Sequence, residues 1–252
     1  MTQHIPDGKT FGLGAIAEIA TLNRCDIAME RAVTRSPTLP GLVGLVGPSG
    51  RGKSMAANYV ASSRRACYVQ ANSSVTKASF LRATLRELEV EPASNGSAVM
   101  TDQVGEALRD SGRPLIVDEA DYLFDRNVAD VIRDVYESSL VPILIVGKEG
   151  LRGKIAKDEQ MHGRVLDWVD ADPITLDDAR KLCALYCANV TVGDDLLAKL
   201  VKLSHGSVRR VAVNLERIKE VADVQDMQVV DLAAWGKRQL YTCDVPKRRV
   251  WS

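Results

Sequence analysis

Three sets of side chains in this chain have the types and spacing for phosphate chemistry. The first is the run Gly47-Pro48-Ser49-Gly50-Arg51-Gly52-Lys53-Ser54. Its three glycines let the backbone curl and aim N–H groups at an anion. A helix starting at Lys53 adds the positive end of its dipole. In that arrangement Lys53 reaches the β- and γ-phosphates of a nucleoside triphosphate, and the Ser54 hydroxyl ligates Mg²⁺. The second set is the pair Asp118-Glu119, which ends the apolar run Pro114-Leu115-Ile116-Val117. Asp118 is suited to complete the Mg²⁺ shell with Ser54, and Glu119 to orient and polarise an attacking water. The third set is basic and scattered: Lys77, Arg82 and Arg86, then Lys148, Arg152, Lys154, Lys157 and Arg164, then Arg209 and Arg210.

The elements that must hold these groups follow from the apolar pattern. Residues 41–46 read as a buried strand and residues 55–60 as a helix. The glycine-rich run therefore sits in a strand–turn–helix context, which gives the pattern its meaning. Further strands are predicted over 66–71, 114–119, 141–146 and 165–172, the last just after Arg164. Helices fall between them. One has Leu81, Leu85 and Leu88 on one face, with Arg82 and Arg86 stacked at i, i+4. Another carries Met100, Val104, Ala107 and Leu108, a third spans 127–138, and a short one bears Arg152, Lys154 and Lys157. Alternation of short apolar strands with helices predicts an α/β fold whose parallel sheet is covered by helices on both faces. Beyond Pro173 the pattern is helical only. Thr175 caps one helix, Gly193-Asp194-Asp195 opens a second, Ser204-His205-Gly206 ends it, Val208, Val211 and Leu215 mark a third, and 229–240 reads as a fourth. The expected organisation is a leader over 1–12, an α/β nucleotide-binding domain over 13–172 that begins with one or two helices, a small all-helical lid domain over 173–240, and a basic tail over 241–252 that ends in Lys247-Arg248-Arg249-Val250-Trp251.

Composition sets outer limits. The 252 residues are 46% hydrophobic and 26% charged, in the ordinary soluble range, and 33 basic side chains balance 33 acidic ones. Net charge therefore argues neither for nor against nucleic acid, since local patches can still bind. Five cysteines, an odd number in a chain this long, point to a reduced, cytoplasmic setting. Cys183 and Cys187 stand four apart without nearby partner ligands and read as buried thiols rather than a metal pair. No signal peptide is evident, and the longest apolar run, around 140–147, is too short to span a bilayer. Residues 118–121 spell Asp-Glu-Ala-Asp, as in one helicase family. That family needs a second motor domain for which the chain lacks length, so the match reads as coincidence.

Taken together, the phosphate loop, the strand ending Asp118-Glu119, the later strand ending in a polar residue, Arg164 ahead of the last strand and Gly206-Ser207-Val208-Arg209 resemble an AAA+ ATPase (a P-loop NTPase). Within that superfamily the stretch Asp118-Glu119-Ala120-Asp121-Tyr122-Leu123, Val146-Gly147 with its following short helix, and residues 206–209 are most similar to compact DNA-transposition ATPases, the group of the phage Mu transposition protein B and insertion-sequence helper proteins. The resemblance covers residues from about 15 to 240. It implies ATP and Mg²⁺ as cofactors. It implies that Lys148 stands where many members carry a γ-phosphate-sensing asparagine, a departure that leaves a point charge in that place. It implies that Arg164 is an arginine finger for a neighbouring subunit, against the alternative of a plain surface arginine. Arg209, with Arg210 as the rival, would be the lid arginine that contacts the γ-phosphate. Lys77, Arg82 and Arg86, together with Arg152, Lys154 and Lys157, are the candidate DNA contacts, since no helix-turn-helix module precedes the first strand.

These readings lead to an ATP-dependent, oligomerising DNA-binding ATPase that helps a transposase select duplex target DNA, forming a ring or filament when ATP binds, in a bacterial or phage-infected cytoplasm. Two alternatives stand beside it. One is a replication-initiation or helicase-loading ATPase, placed second because no C-terminal DNA-reading domain is evident. The other is an ATP-gated switch for a protein partner that does not bind DNA.

Overall fold

Each apolar run expected to form a strand does so, and the three central strands are buried throughout. The computed structural model describes residues 16–242. The leader over 1–12, Cys243 and the basic run Lys247 to Trp251 lie outside the described residues. The element order is α1 (Ala20–Val33), β1 (Leu42–Val46), α2 (Lys53–Arg64), β2 (Cys67–Gln70), α3 (Lys77–Glu87), α4 (Ser97–Ser111), β3 (Leu115–Asp118), α5 (Asp121–Asp125), α6 (Asp130–Ser139), β4 (Ile143–Gly147), α7 (Leu151–Ala156), α8 (Glu159–His162), β5 (Val165–Asp170), α9 (Leu176–Tyr186), β6 (Thr191–Val192), α10 (Asp194–Ser204), α11 (Val208–Val224), β7 (Val229–Val230) and α12 (Leu232–Trp235).

The main sheet has the order β2-β3-β4-β1-β5, and its strand pairs are parallel. The period of two along a strand sends alternate side chains to opposite faces. Val43, Leu45, Ile116, Leu144 and Val146 pack with α1, α2 and the helices after residue 173. Leu42, Leu115, Val117, Ile143 and Ile145 pack with α3 to α8. The expected two-faced α/β sheet is therefore what forms. Gly44 on β1 leaves room for the Trp168 ring of β5, which a Cβ there would overlap. The Arg152 guanidinium stacks over the same ring, 4.8 Å from its centroid.

Several boundaries differ from expectation. Only α1 forms over 13–34 among the described residues, starting at Ala20. The helix expected over 229–240 is confined to Leu232–Trp235, because Gly236 adopts φ +64° and ends it. The region after 173 is not free of strands either, since β6 and β7 form a short parallel pair through Thr191↔Val229 and Val192↔Val230. The five-residue α5 and the separate α8 are too short to show a helical period in sequence. Thr175 does cap α9, in a capping box with Asp178, and His205 and Gly206 end α10 with positive φ angles of 50° and 83°. The apolar cluster around α1 and α2 continues without a break into Ala179, Leu182, Leu197 and Leu215 of the later helices.

Candidate nucleotide-binding site

In this parallel sheet the C-terminal ends of β1, β3 and β4 lie along one edge, and the chemistry-bearing residues follow directly from those ends. Residues 47–52 turn out of β1 and lead into α2 at Lys53. Gly47, Gly50 and Gly52 all have positive φ, with values of 150°, 82° and 83°. No side chain caps α2 at Gly52, so its first backbone N–H groups stay available to an anion. The Lys53 ammonium folds back over the loop and donates to the carbonyls of Gly47 at 2.7 Å and Pro48 at 2.8 Å. Burial lowers its pKa below the ordinary value of 10.5, against the opposing fields of Glu119, Asp118, Asp121 and Glu149.

Asp118 is 2% exposed at the tip of β3. Period-two alternation from Ile116 puts it on the sheet face that α2 covers. One of its oxygens accepts the Tyr68 hydroxyl at 2.7 Å and the other accepts the Glu119 N–H at 2.8 Å. Burial, followed by the charge of Asp118, pushes the Tyr68 pKa far up, so its hydroxyl stays a donor. Glu119 adopts a left-handed φ of 53°, uncommon for a residue with a side chain and typical of functional sites. It borders an open depression of about 380 Å³ with Gln70, Ala71, Asn72 and Tyr122.

The residues fit a Mg²⁺–nucleotide. The loop offers backbone N–H donors and an ammonium for phosphate, while Ser54 and Asp118 offer the one or two hard oxygens that Mg²⁺ takes from protein when phosphates and waters supply the rest. Among the described residues no cluster of three or more His, Cys, Asp or Glu could hold a metal unaided. When bound, the group would supply the phosphoanhydride and the charge neutralisation; the chain supplies position and the Glu119 carboxylate.

The N-terminus of α11 sits on the loop. The Arg209 N–H donates to the Gly50 carbonyl at 3.2 Å, as does the Ser207 hydroxyl at 3.4 Å. From the loop, Arg51 reaches the His205 carbonyl at 3.3 Å, and its guanidinium packs on Gly206. The two adjacent arginines differ in their surroundings. Arg210 turns back to the Ser204 carbonyl at 3.4 Å, whereas Arg209 is exposed and no described residue holds its guanidinium. Lys148 is exposed just past β4. Val46 pairs in register with Gly147, so Lys148 stands one strand over from the start of the loop.

Arg164 is at the opposite edge of the sheet. Its carbonyl accepts the Leu42 N–H at 2.9 Å, at the start of β1. Five strand steps separate that end from Gly47, roughly 16 Å. Its guanidinium bonds the Glu137 carboxylate and the Gln160 carbonyl. It therefore cannot serve the loop of its own chain. The six candidate DNA contacts fall on α3 and around α7, and several are engaged internally. Lys77 pairs with Asp130, Arg82 bonds Asn95 at 3.0 Å, Arg152 reaches Asp170 at 3.4 Å, and Lys154 reaches Asp125 at 2.5 Å. Arg86 and Lys157 are exposed.

Sequence reasoning missed Tyr68, Asp121 and Ser207. Asp121 was visible as the fourth letter of Asp-Glu-Ala-Asp. Tyr68 had no local signal, because its partner is fifty residues away and is reached only through strand pairing. The four described cysteines are free and buried, as expected, and burial pushes Cys25 and Cys67 up to about 12.

The structure has an α/β P-loop NTPase fold, like that of the solved AAA+ structures named below. Residues 38–155 match the family described as AAA domain. Among solved structures, the Orc1 protein of Aeropyrum pernix in complex with DNA superposes with a TM-score of 0.61 at 18% identity, covering 84% of this chain and 61% of that one. The Thermotoga maritima RuvB Holliday junction branch migration motor gives 0.58 at 18% identity, covering 85% and 65%. Cdc6p of Pyrobaculum aerophilum gives 0.59 at 16% identity, covering 83% and 62%. This chain thus spans less than two thirds of the length of each of these structures. No curated protein matches the sequence. Among the described residues no helix is long and apolar enough to cross a membrane.

Proposed function

We propose that this protein binds ATP with Mg²⁺, hydrolyses it to ADP and phosphate, and assembles with further copies of itself on duplex DNA, in the manner of a replication-initiation or helicase-loading ATPase. The observation that carries the reading is the convergence at one sheet edge of the loop around Lys53, the Asp118-Glu119 tip and the N-terminus of α11. Such a site senses the third phosphate through Lys148 and Arg209 and activates water through Glu119. Arg164, out of reach of its own loop, serves the loop of a neighbouring copy once it leaves Glu137. The helices over 173–240 act as the lid that carries Arg209.

The likeness to Orc1 solved on DNA, to Cdc6p and to a branch migration motor supports DNA as the partner and favours this reading over that of a transposition helper. The latter rests only on the short sequence resemblances at 118–123, 146–147 and 206–209. DNA contacts are assigned to α3 and α7, with Arg86 and Lys157 the groups readiest to meet phosphate. Electrophoretic mobility of duplex DNA at low salt, with ATP, ADP or no nucleotide, tests the reading. Glu119→Gln should bind ATP, fail to hydrolyse it and hold DNA in a long-lived complex. Absence of any ATP-dependent shift would remove DNA and leave an ATP-gated switch for a protein partner. Rapid phosphate release by Glu119→Gln would place the base elsewhere.

A further inference from the structure

A carboxylate outside the roles assigned so far is buried beside this site. Asp121 opens α5, only three residues beyond Asp118, and is 4% exposed. Its charge is one of those that act on Lys53 of the loop. One oxygen accepts the backbone N–H of Lys148 at 2.6 Å. The other lies 3.7 Å from the Lys154 ammonium, whose nearer partner is Asp125 at 2.5 Å. Gly147 has no side chain where one would collide, since a Cβ there would sit 2.5 Å from the same Asp121 oxygen that holds Lys148. The preceding residue adds a second tie between the same segments, as the Ala120 N–H donates to the Val146 carbonyl at 2.9 Å. Burying a carboxylate is costly unless each oxygen is matched, and here one is matched by an amide and the other by a cation. The arrangement fixes the exit of β4 to the exit of β3 and thereby sets the direction in which Lys148 leaves the sheet.

We propose that Asp121 is a positioning residue: it holds the backbone at Lys148 so that this lysine faces the third phosphate of a nucleotide on the neighbouring loop, and through Lys154 it ties that geometry to α7. The role of Lys148 rests on the ATP reading above; the grip of Asp121 on the Lys148 amide does not. Lys154 is also one of the basic groups that a DNA backbone would attract. A phosphate drawing Lys154 from the Asp121–Asp125 pair would leave the buried carboxylate held by a single amide. Occupancy of α7 and the set of Lys148 are in this way linked through one side chain.

The test compares Asp121→Ala with Asp121→Asn, whose side-chain carbonyl can still accept the amide. Hydrogen exchange at Lys148, read by NMR or by fragment mass spectrometry over 144–150, should speed up at least about tenfold in Asp121→Ala and stay near wild type in Asp121→Asn. Calorimetry should then show ADP affinity within about threefold of wild type in both variants, with ATP affinity reduced about tenfold in Asp121→Ala only. A purely structural role would instead lower ADP and ATP affinity together, and that outcome overturns the proposal. Unchanged exchange at Lys148 in Asp121→Ala overturns it as well. If the wild-type protein binds neither nucleotide, the functional reading above fails, while the exchange result still decides whether Asp121 holds Lys148.

Discussion

Removing the Tyr68 hydroxyl probes the bond that holds Asp118 in the centre of the site. Tyr68→Phe keeps the ring that packs on the core beside α2 and deletes the donor to Asp118, which accepts it at 2.7 Å, along with a lesser contact to the Asn58 side chain. Asp118 is 2% exposed, so water cannot readily take the place of the lost donor. A hydrogen bond to a charged acceptor contributes about 1.5–3 kcal/mol, and stranding a buried charged partner pushes the effect toward the upper part of that range. Tyr68 is itself only partly buried, which pulls it back. About 2 kcal/mol is therefore expected, or a fall in melting temperature of roughly 4–8 °C for a chain of this size. Thermal unfolding followed by circular dichroism, without nucleotide or Mg²⁺, reads this directly. Because the Tyr68 pKa is raised well above its ordinary value, the loss should be the same at pH 7 and pH 9. A fall under about 1 °C would mean that Asp118 gains nothing from Tyr68 and that strand pairing alone positions it.

Two further perturbations probe the lid and the assembly. Gly50→Ala places a methyl group 2.6 Å from the Ser207 hydroxyl at a residue with φ +82°, so it should strain the loop by about 1–2 kcal/mol and push α11 off it, weakening ATP binding at least tenfold by calorimetry. Wild-type affinity would show that the α11 contact is dispensable. Arg164→Ala and Lys53→Ala should each abolish ATP turnover alone, yet a mixture of the two should recover part of it, because an intact loop can then meet an intact arginine on a neighbour; a mixture as inactive as its parts refutes the shared site.

What could be read from sequence and what could not divide along a physical line. The loop at 47–54 and the strand ending Asp118-Glu119 are local strings whose neighbours in sequence create their chemistry, so types and spacing were enough. Strand–helix alternation fixed a two-faced sheet for the same reason, since burial on both faces demands short runs apolar throughout. The strand order, the Tyr68–Asp118 bond and the Asp121–Lys148 bond depend on register between segments distant in sequence, which no local period carries. The different settings of the adjacent Arg209 and Arg210 also waited for α11, because neighbouring helical residues point about 100° apart and only the packed helix shows that Arg210 turns back to the Ser204 carbonyl. The helix expected over 229–240 is shorter because Val229–Val230 pairs as β7 and Gly236 stops α12.

The five residues of β1 join two unlike ends: Gly47 leaves one, and the carbonyl of Arg164 is bonded to the other. Copies that meet through those ends contact each other by different surfaces, front to back, so no two-fold axis can relate neighbours and each array has a sense of direction. The backbone of a DNA duplex reads alike from either end. An array of this kind laid along it would acquire orientation only from the first copy to settle, and every later copy would inherit that choice.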